Sequence, residues 1–335
     1  MPAPVLVLSG GNALGAYHAG AWTALEAAGV EPRWVLGSSI GAVTAAIIAG
    51  TAPGQREAAL RRFWDRAAAF DGIDALIPDL ARRPLQYAQA LGSRLLGRPG
   101  LFTLRPPDLT GMDSRPGLFE ASAMRSLIAE LVDLGRLNGG AMRVSIVAVD
   151  LASGEETVFD SQSGGIEIDH IMASAALLPD FPPVEVAGRL LVDGGLSANL
   201  PIDFVLDEAF AAEAAPLAVF AVDLFPSAAP WPRGLAQAAQ RQSDLIFASQ
   251  TKKMLTARAL PWRDRVPGAD VMLLAYEALE EETPLKGYDF SARSLARRWQ
   301  AGAADMAAQL AVWRGLRGDR PGLAVHALAG RARAA

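Results

Sequence analysis

The chain has 335 residues, 51% hydrophobic and 20% charged, an ordinary globular composition with ample apolar material for a large core. A formal net charge of -5 excludes a global basic field that would attract nucleic acid. The absence of cysteine excludes a disulfide framework, a thiolate zinc site and a Cys nucleophile.

The first residues form an apolar run, Val5 to Leu8, that stops at Ser9-Gly10-Gly11. This reads as a buried strand entering a glycine-rich turn. No charged segment precedes it, so it does not resemble a signal peptide. No uncharged apolar stretch reaches the ~20 residues of a membrane span. The expectation is a soluble, cytoplasmic protein. Good helix formers follow from Leu14 to Ala28, and Gly29 ends them as a C-cap. Residues 34–36 form a second strand, cut off by Gly37, and residues 42–49 form a helix of small apolar residues. Strand, turn and helix twice over predict an α/β fold with parallel strands.

Further along, residues 54–70 carry an amphipathic helical pattern. Residues 71–117 are rich in Pro, Gly and Arg and hold only short helical patterns. Residues 142–149 and 156–159 pair as a hairpin. A short helix is expected over 170–177, strands over 184–186 and 190–192, and a core strand over 217–224. Long helices are expected at about 234–259 and 291–314, and the stretch from Arg317 is expected to fray.

Three segments carry candidate chemistry. Gly37-Ser38-Ser39-Ile40-Gly41 fits G-x-S-x-G, a sharp strand-to-helix turn that exposes a serine at a helix N-terminus. A plain glycine turn packing a βαβ unit would read the same way. Gly10-Gly11-Asn12-Ala13-Leu14-Gly15 is a second turn of this kind, whose amides could cradle a phosphate or form an oxyanion hole. It lacks the ending of a Walker loop. Asp193-Gly194-Gly195 places a carboxylate at the end of an apolar strand. There it could act as a base if partial burial raises its proton affinity, although such a tripeptide is more often a simple turn. The three histidines, His18, His170 and His326, carry no convincing motif.

Together these segments resemble the patatin-like phospholipases, which combine an early glycine-rich loop, a G-x-S-x-G elbow and a late D-G-G. Residues 173–179, 181–184 and 199–201 are also similar to that family's flanking patterns, and the resemblance covers about residues 4–224. It implies a three-layer α/β fold, a mostly parallel central sheet flanked by helices. A catalytic domain over 1–225 would contain an insert at about 71–117, and a helical C-terminal extension would occupy 226–335. It implies a Ser-Asp dyad of Ser39 and Asp193 that hydrolyses lipid or other acyl esters with no cofactor and no metal. The oxyanion hole would use Gly10, Gly11 and Asn12, with Gly15, Gly37, Gly41, Gly194 and Gly195 as support. Two departures stand out: Asn12 replaces a glycine of many members, and Leu14 stands where many have Arg or Lys. Asn12 can adopt positive φ, so the turn is expected to survive.

Residues 80–107 hold Arg82, Arg83, Arg94, Arg98 and Arg105 among leucines and no acid. Such an insert could rest on an anionic membrane surface as a peripheral contact or cover an acyl pocket; a solvated surface subdomain is the plainer reading. Two other functions remain open on the sequence. One is an α/β-hydrolase triad completed by His326, though Ser39 follows fewer strands than that fold places before its nucleophile. The other is a non-catalytic binding module on the same fold.

Overall fold

The computed structural model describes residues 4–68, 79–106, 116–212, 217–277, 282–316 and 320–328, with residues 79–83 described by backbone only. Strand β1 (Val5–Leu8) leads through a 3-10 turn at Asn12–Gly15 into α1 (Ala16–Ala27). Gly29 then takes φ 66°. Its amide donates to Glu26 O and the Val30 amide to Leu25 O, both at 3.0 Å, closing the helix as the glycine predicted. Strand β2 (Trp34–Ser38) runs directly into α2 (Ile40–Gly50), and α3 (Arg56–Ala67) follows.

The insert is more regular than its composition suggests. It contains α4 (Asp79–Leu96), a helix of 18 residues with Pro84 inside it, and β3 (Gly97–Arg98) and β4 (Phe102–Leu104), which form a separate antiparallel sheet with β5 (Phe119–Glu120) just beyond it. An internal proline normally breaks a helical pattern, which is why only short helices were expected. Then come α5 (Ser122–Leu131), α6 (Leu134–Gly139), the antiparallel pair β6 (Arg143–Asp150) and β7 (Glu156–Asp160), α7 (Ile168–Ser174), and the antiparallel pair β8 (Val184–Val186) and β9 (Arg189–Asp193). The chain continues through α8 (Ile202–Ala211), β10 (Leu217–Asp223), α9 (Leu235–Trp262), β11 (Ala269–Ala275), α10 (Ala292–Arg314) and β12 (Leu323–Ala327).

The central sheet runs β12-β11-β10-β1-β2-β6-β9-β8, with β7 branching off β6. Pairing is parallel from β12 through β6 and antiparallel beyond. Side chains alternate between its faces, as period-two strands require. Leu6, Leu8, Val35 and Phe220 share a core with α1, α2 and α10. Val5, Val7, Leu36 and Val219 pack with residues of α8 and with Trp262 at the end of α9. The result is three layers.

The C-terminal segment has its expected long helices and also supplies β11 and β12, which the sequence reading did not name. It therefore widens the central sheet instead of sitting beside it. Of the stretch expected to fray, residues 323–327 form β12, while 317–319 and 329–335 lie outside the described residues. Helices α1 and α10 touch backbone to backbone. A Cβ on Gly20 would fall 1.8 Å from Trp299 O, and one on Gly302 would fall 2.0 Å from Tyr17 O. Gly to Ala inside a helix ordinarily stabilises by roughly 0.5–1 kcal/mol. Here the sign should invert. Gly302→Ala is expected to destabilise the protein by about 1–3 kcal/mol, read as a lower denaturation midpoint in urea. An unchanged or higher midpoint would show that the two helices can separate freely.

Candidate active site

The site is built where β1 and β2 end. They are parallel neighbours, with Leu8 paired to Gly37, so both glycine turns emerge at the same edge of the sheet. Ser39 sits between β2 and α2 with φ 56° and ψ -126°, a conformation that costs a non-glycine residue about 1–3 kcal/mol. Its neighbours permit the bend: a Cβ on Gly41 would fall 2.2 Å from Leu8 O, and one on Gly37 would fall 2.4 Å from the Gly41 backbone. A serine at this position usually caps its helix, but the Ser39 side chain makes no capping bond. Instead its amide donates to Ser174 Oγ at 3.0 Å, so a buried serine at the end of α7 pins the elbow. Ser174 lies in the flanking pattern noted in the sequence, but nothing there assigned it this contact.

The opposing carboxylate arrives from the other side of the sheet. Ser38 pairs with Val147 on β6, and the next residue, Ala148, pairs with Asp193 at the end of β9. Register alone thus brings Asp193 level with Ser39. Asp193 is 1% exposed, and its Oδ1 accepts from the Gly195 amide at 2.7 Å. Burial pushes its pKa up to about 7, with the Ser39 hydroxyl and the Gly195 amide pulling the other way. The hydroxyl is thus near enough to act on the carboxyl, while Oδ2 has no fully aligned hydrogen-bond partner. Ser38 Oγ and Asn199 Nδ2 nearby are buried and unpartnered as well. Buried polar atoms are normally satisfied, so such a concentration marks a place kept ready for something else.

The glycine-rich loop completes the arrangement. Asn12 has φ 52°, so the residue that replaces a glycine does adopt the left-handed region. The Gly10 amide is committed to Asn199 O at 3.1 Å and the Leu14 amide to Gly11 O at 3.1 Å. Gly10 is therefore a bracing residue, and the amides of Gly11 and Asn12 are the two of the predicted trio without an acceptor among the described residues. Gly15 and Gly194 are required by space: their Cβ atoms would meet Ile40 at 2.6 Å and Val147 O at 2.3 Å.

Two C-terminal helices hold both halves of the site. Gln250 of α9 accepts from the Asn199 amide (2.8 Å) and donates to Gly195 O (3.2 Å). Arg298 of α10, fully buried, donates to Ala13 O (3.2 Å), Lys286 O (3.0 Å), Asp289 O (2.8 Å) and Glu282 Oε1 (2.9 Å). Burial works against the Arg298 charge, but Glu282, Tyr276 and Asp289 more than offset it, and its pKa is raised.

Ser39, Asp193, Gly10, Gly11 and Asn12 all line one cavity of about 350 Å³. Its apolar walls include Leu14, Val43, Leu101, Phe102, Met124 and Phe181, so the insert contributes through β4. No histidine lines it. His18 is buried in α1, where burial lowers its pKa to about 3 and keeps it neutral. His170 stacks on Phe159 with ring centroids 3.8 Å apart. His326 lies on the edge strand β12, bound to Asp270 Oδ1 at 2.8 Å, four strands from β2, and is not placed to serve Ser39. Of the insert's arginines, Arg98 turns inward onto Ala67 O and Phe290 O, and Arg94 faces Asp180. The side chains of Arg82 and Arg83 lie outside the described residues.

With this geometry in place, comparison with known proteins is informative. The patatin-like phospholipase model matches residues 6–206. The chain belongs to the patatin-like phospholipase family. A second model, described as patatin phospholipase, matches residues 235–319, so the C-terminal helices belong to the family pattern too. These matches make the protein a lipid acyl hydrolase by family. No curated protein matches it. Similar solved structures include VipD from Legionella pneumophila, at 16% identity and TM-score 0.43, covering 93% of this chain and 67% of that one. The type III effector ExoU is similar at 15% identity and TM-score 0.43, covering 94% and 54%. The ExoU–SpcU complex of Pseudomonas aeruginosa gives 16% and 0.36, covering 93% and 52%. The chain thus spans about two thirds of VipD and about half of ExoU. No described helix is long and apolar enough to cross a membrane.

The buried carboxyl makes a stability prediction. Its folded pKa, about 7, lies above the ordinary value of 3.8. Its contribution to stability is therefore fully present below about pH 4 and is lost as pH rises to about 7. Asp193→Asn removes this loss. The variant is expected to gain on the wild type between pH 4 and 7, by on the order of 4 kcal/mol at the plateau, measured by urea denaturation across pH. Asp223, also buried and pushed up to about 6, titrates in both proteins, so the difference isolates Asp193. A flat difference would mean that the carboxyl is solvated.

Proposed function

We propose that this protein hydrolyses carboxyl esters of lipids through a dyad of Ser39 and Asp193, with no histidine in the proton path. The observation that carries the proposal is the placement of a buried, proton-retaining carboxyl beside a serine hydroxyl that does not cap its helix. In the first step Ser39 Oγ attacks the ester carbonyl carbon while Asp193 takes the hydroxyl proton. The negative charge that forms on the carbonyl oxygen is held by the Gly11 and Asn12 amides and by the N-terminal end of α2. As the intermediate collapses, Asp193 returns the proton to the leaving alkoxide, and the alcohol departs. Asp193 then takes a proton from the water that attacks the acyl-serine; as this second intermediate collapses, Asp193 gives that proton to the departing Ser39 oxygen, which releases the fatty acid and restores both free Ser39 and ionised Asp193.

A pKa near 7 suits both duties, because a group that must take and return a proton works best when neither form is strongly favoured. Asp193 must be ionised to begin the cycle. We expect kcat/KM on a short-chain nitrophenyl ester to rise with pH and to reach half its plateau near pH 7. Ser39→Ala and Asp193→Asn should each lower kcat by about a thousandfold or more, while His326→Ala should leave it near wild type. Equal turnover by wild type and Ser39→Ala would leave the chain as a binding module. Strong loss in His326→Ala would return the proton to an imidazole.

A further inference from the structure

One cation stands in the wall of the cavity among the described residues: Arg94, on the last turn of α4. Its surroundings are unusual. The guanidinium Nη1 lies 3.1 Å from Asp180 Oδ1, with 32% of the Arg94 side chain and 6% of the Asp180 side chain exposed. That contact is a charge contact only, since Asp180 Oδ1 has no partner with hydrogen-bond alignment. The Arg94 guanidinium also lies over the Tyr288 ring, 5.1 Å from its centroid. The Tyr288 hydroxyl donates to Asp180 Oδ2. Ring and carboxylate thus flank the guanidinium without an aligned hydrogen bond to its N–H groups. None of its five donors has an aligned acceptor among the described residues.

Arg98, four residues on, behaves in the opposite way and spends its donors on backbone carbonyls. A partly exposed guanidinium fork in the wall of a mainly apolar cavity fits a planar or tetrahedral oxyanion bidentately. Carboxylate is already supplied by Asp180, on the side where alignment is poor. The remaining donors call for a second anion, with the tetrahedral spread of a phosphate.

Building on the ester-hydrolase reading, we propose that Arg94 is the head-group site: it binds the phosphate of a glycerophospholipid or lysophospholipid whose acyl ester lies at Ser39. The phosphate and ester of such a lipid are a few bonds apart, and the one cavity that holds both residues accommodates them together with the start of an acyl chain against Leu14, Phe102 and Met124. The cation comes from the insert, so the insert sets substrate choice.

The test compares lysophosphatidylglycerol with a monoacylglycerol of the same chain, using wild type, Arg94→Met and Arg94→Lys. Charge-assisted bonds contribute about 1.5–3 kcal/mol, so the ratio of kcat/KM for phospholipid over neutral lipid should fall by about tenfold or more in Arg94→Met. Most of the fall should be in KM, with partial recovery in Arg94→Lys. Binding is read separately in a Ser39→Ala background, below the micellar concentration. There, adding Arg94→Met should weaken lysophosphatidylglycerol binding by a similar factor. An unchanged ratio with unchanged binding overturns the assignment, as does a parallel loss on both lipids, which marks Arg94 as structural. If inorganic phosphate alters monoacylglycerol turnover through Arg94 while the lipid ratio stays fixed, the site belongs to free phosphate and not to a head group. Failure of the hydrolase reading would look different: no Ser39-dependent turnover of either lipid, with binding still measurable.

Discussion

The close approach of two backbones governs this structure. The first turn of α2 lies against the end of β1, so near that a Cβ on Gly41 would sit 2.2 Å from the Leu8 carbonyl oxygen. No larger residue fits. The contact forces β2 to turn abruptly into α2, and the turn forces Ser39 into positive φ with its hydroxyl clear of the helix end. Because β1 ends at the same level, its own glycine turn opens beside that hydroxyl. The exposed Ser39 and the glycine turn beside it are thus consequences of one packing constraint between neighbouring parallel strands. The strain at Ser39 is local, and the elements that oppose it are remote: Ser174 from α7 holds its amide, and the buried apolar residues of α2 anchor the helix from behind.

That constraint explains which parts of the site were legible in the sequence. Close backbone contacts demand glycine, and glycine at fixed spacing is visible in one dimension; the elbow, the loop and Asp193-Gly194-Gly195 were all found that way. The α/β alternation was equally plain, because each strand is a short apolar run. What was not legible depends on partners distant in the chain. Gly10 looks like Gly11 in sequence, and only the position of Asn199 shows that its amide is already taken. Helix α4 was obscured by Pro84, and the insert's arginines read as a basic surface until Asp180 located Arg94 and the carbonyls of Ala67 and Phe290 located Arg98. Strands β11 and β12 are short segments in a mainly helical stretch, and they form only in succession: β11 pairs with β10, and β12 with β11.

On sequence grounds the C-terminal segment reads as an appendage, yet the site leans on it. Gln250 spans Asn199 and Gly195, and Arg298 ties Ala13 to the turn at Lys286–Tyr288. An arginine with no exposure is costly to bury, and such groups do little for net stability compared with an apolar replacement. Its geometry has a different use: one acceptor at Ala13 and three between residues 282 and 289 fix one planar group, and that group ties the glycine-rich turn to the C-terminal segment. Once removed, the Ala13 carbonyl and Glu282 would be left buried without their partner, so the position tolerates little change.

The same trade governs the carboxyl. A solvated Asp193 would be a weaker base and an easier residue to fold around. Burial makes it resist ionisation, which lowers stability near neutral pH and raises proton affinity toward the range in which a hydroxyl proton can be taken and given back. The unpartnered oxygens and amide beside it follow the same logic, since donors and acceptors satisfied in the resting protein would have to break their bonds before meeting a reacting ester. The core on both sides of the sheet is apolar and closely packed, and that surplus allows a strained serine, a proton-holding aspartate and idle amides to coexist at one edge of it. The polar frustration is therefore confined to the place where the chemistry would need it.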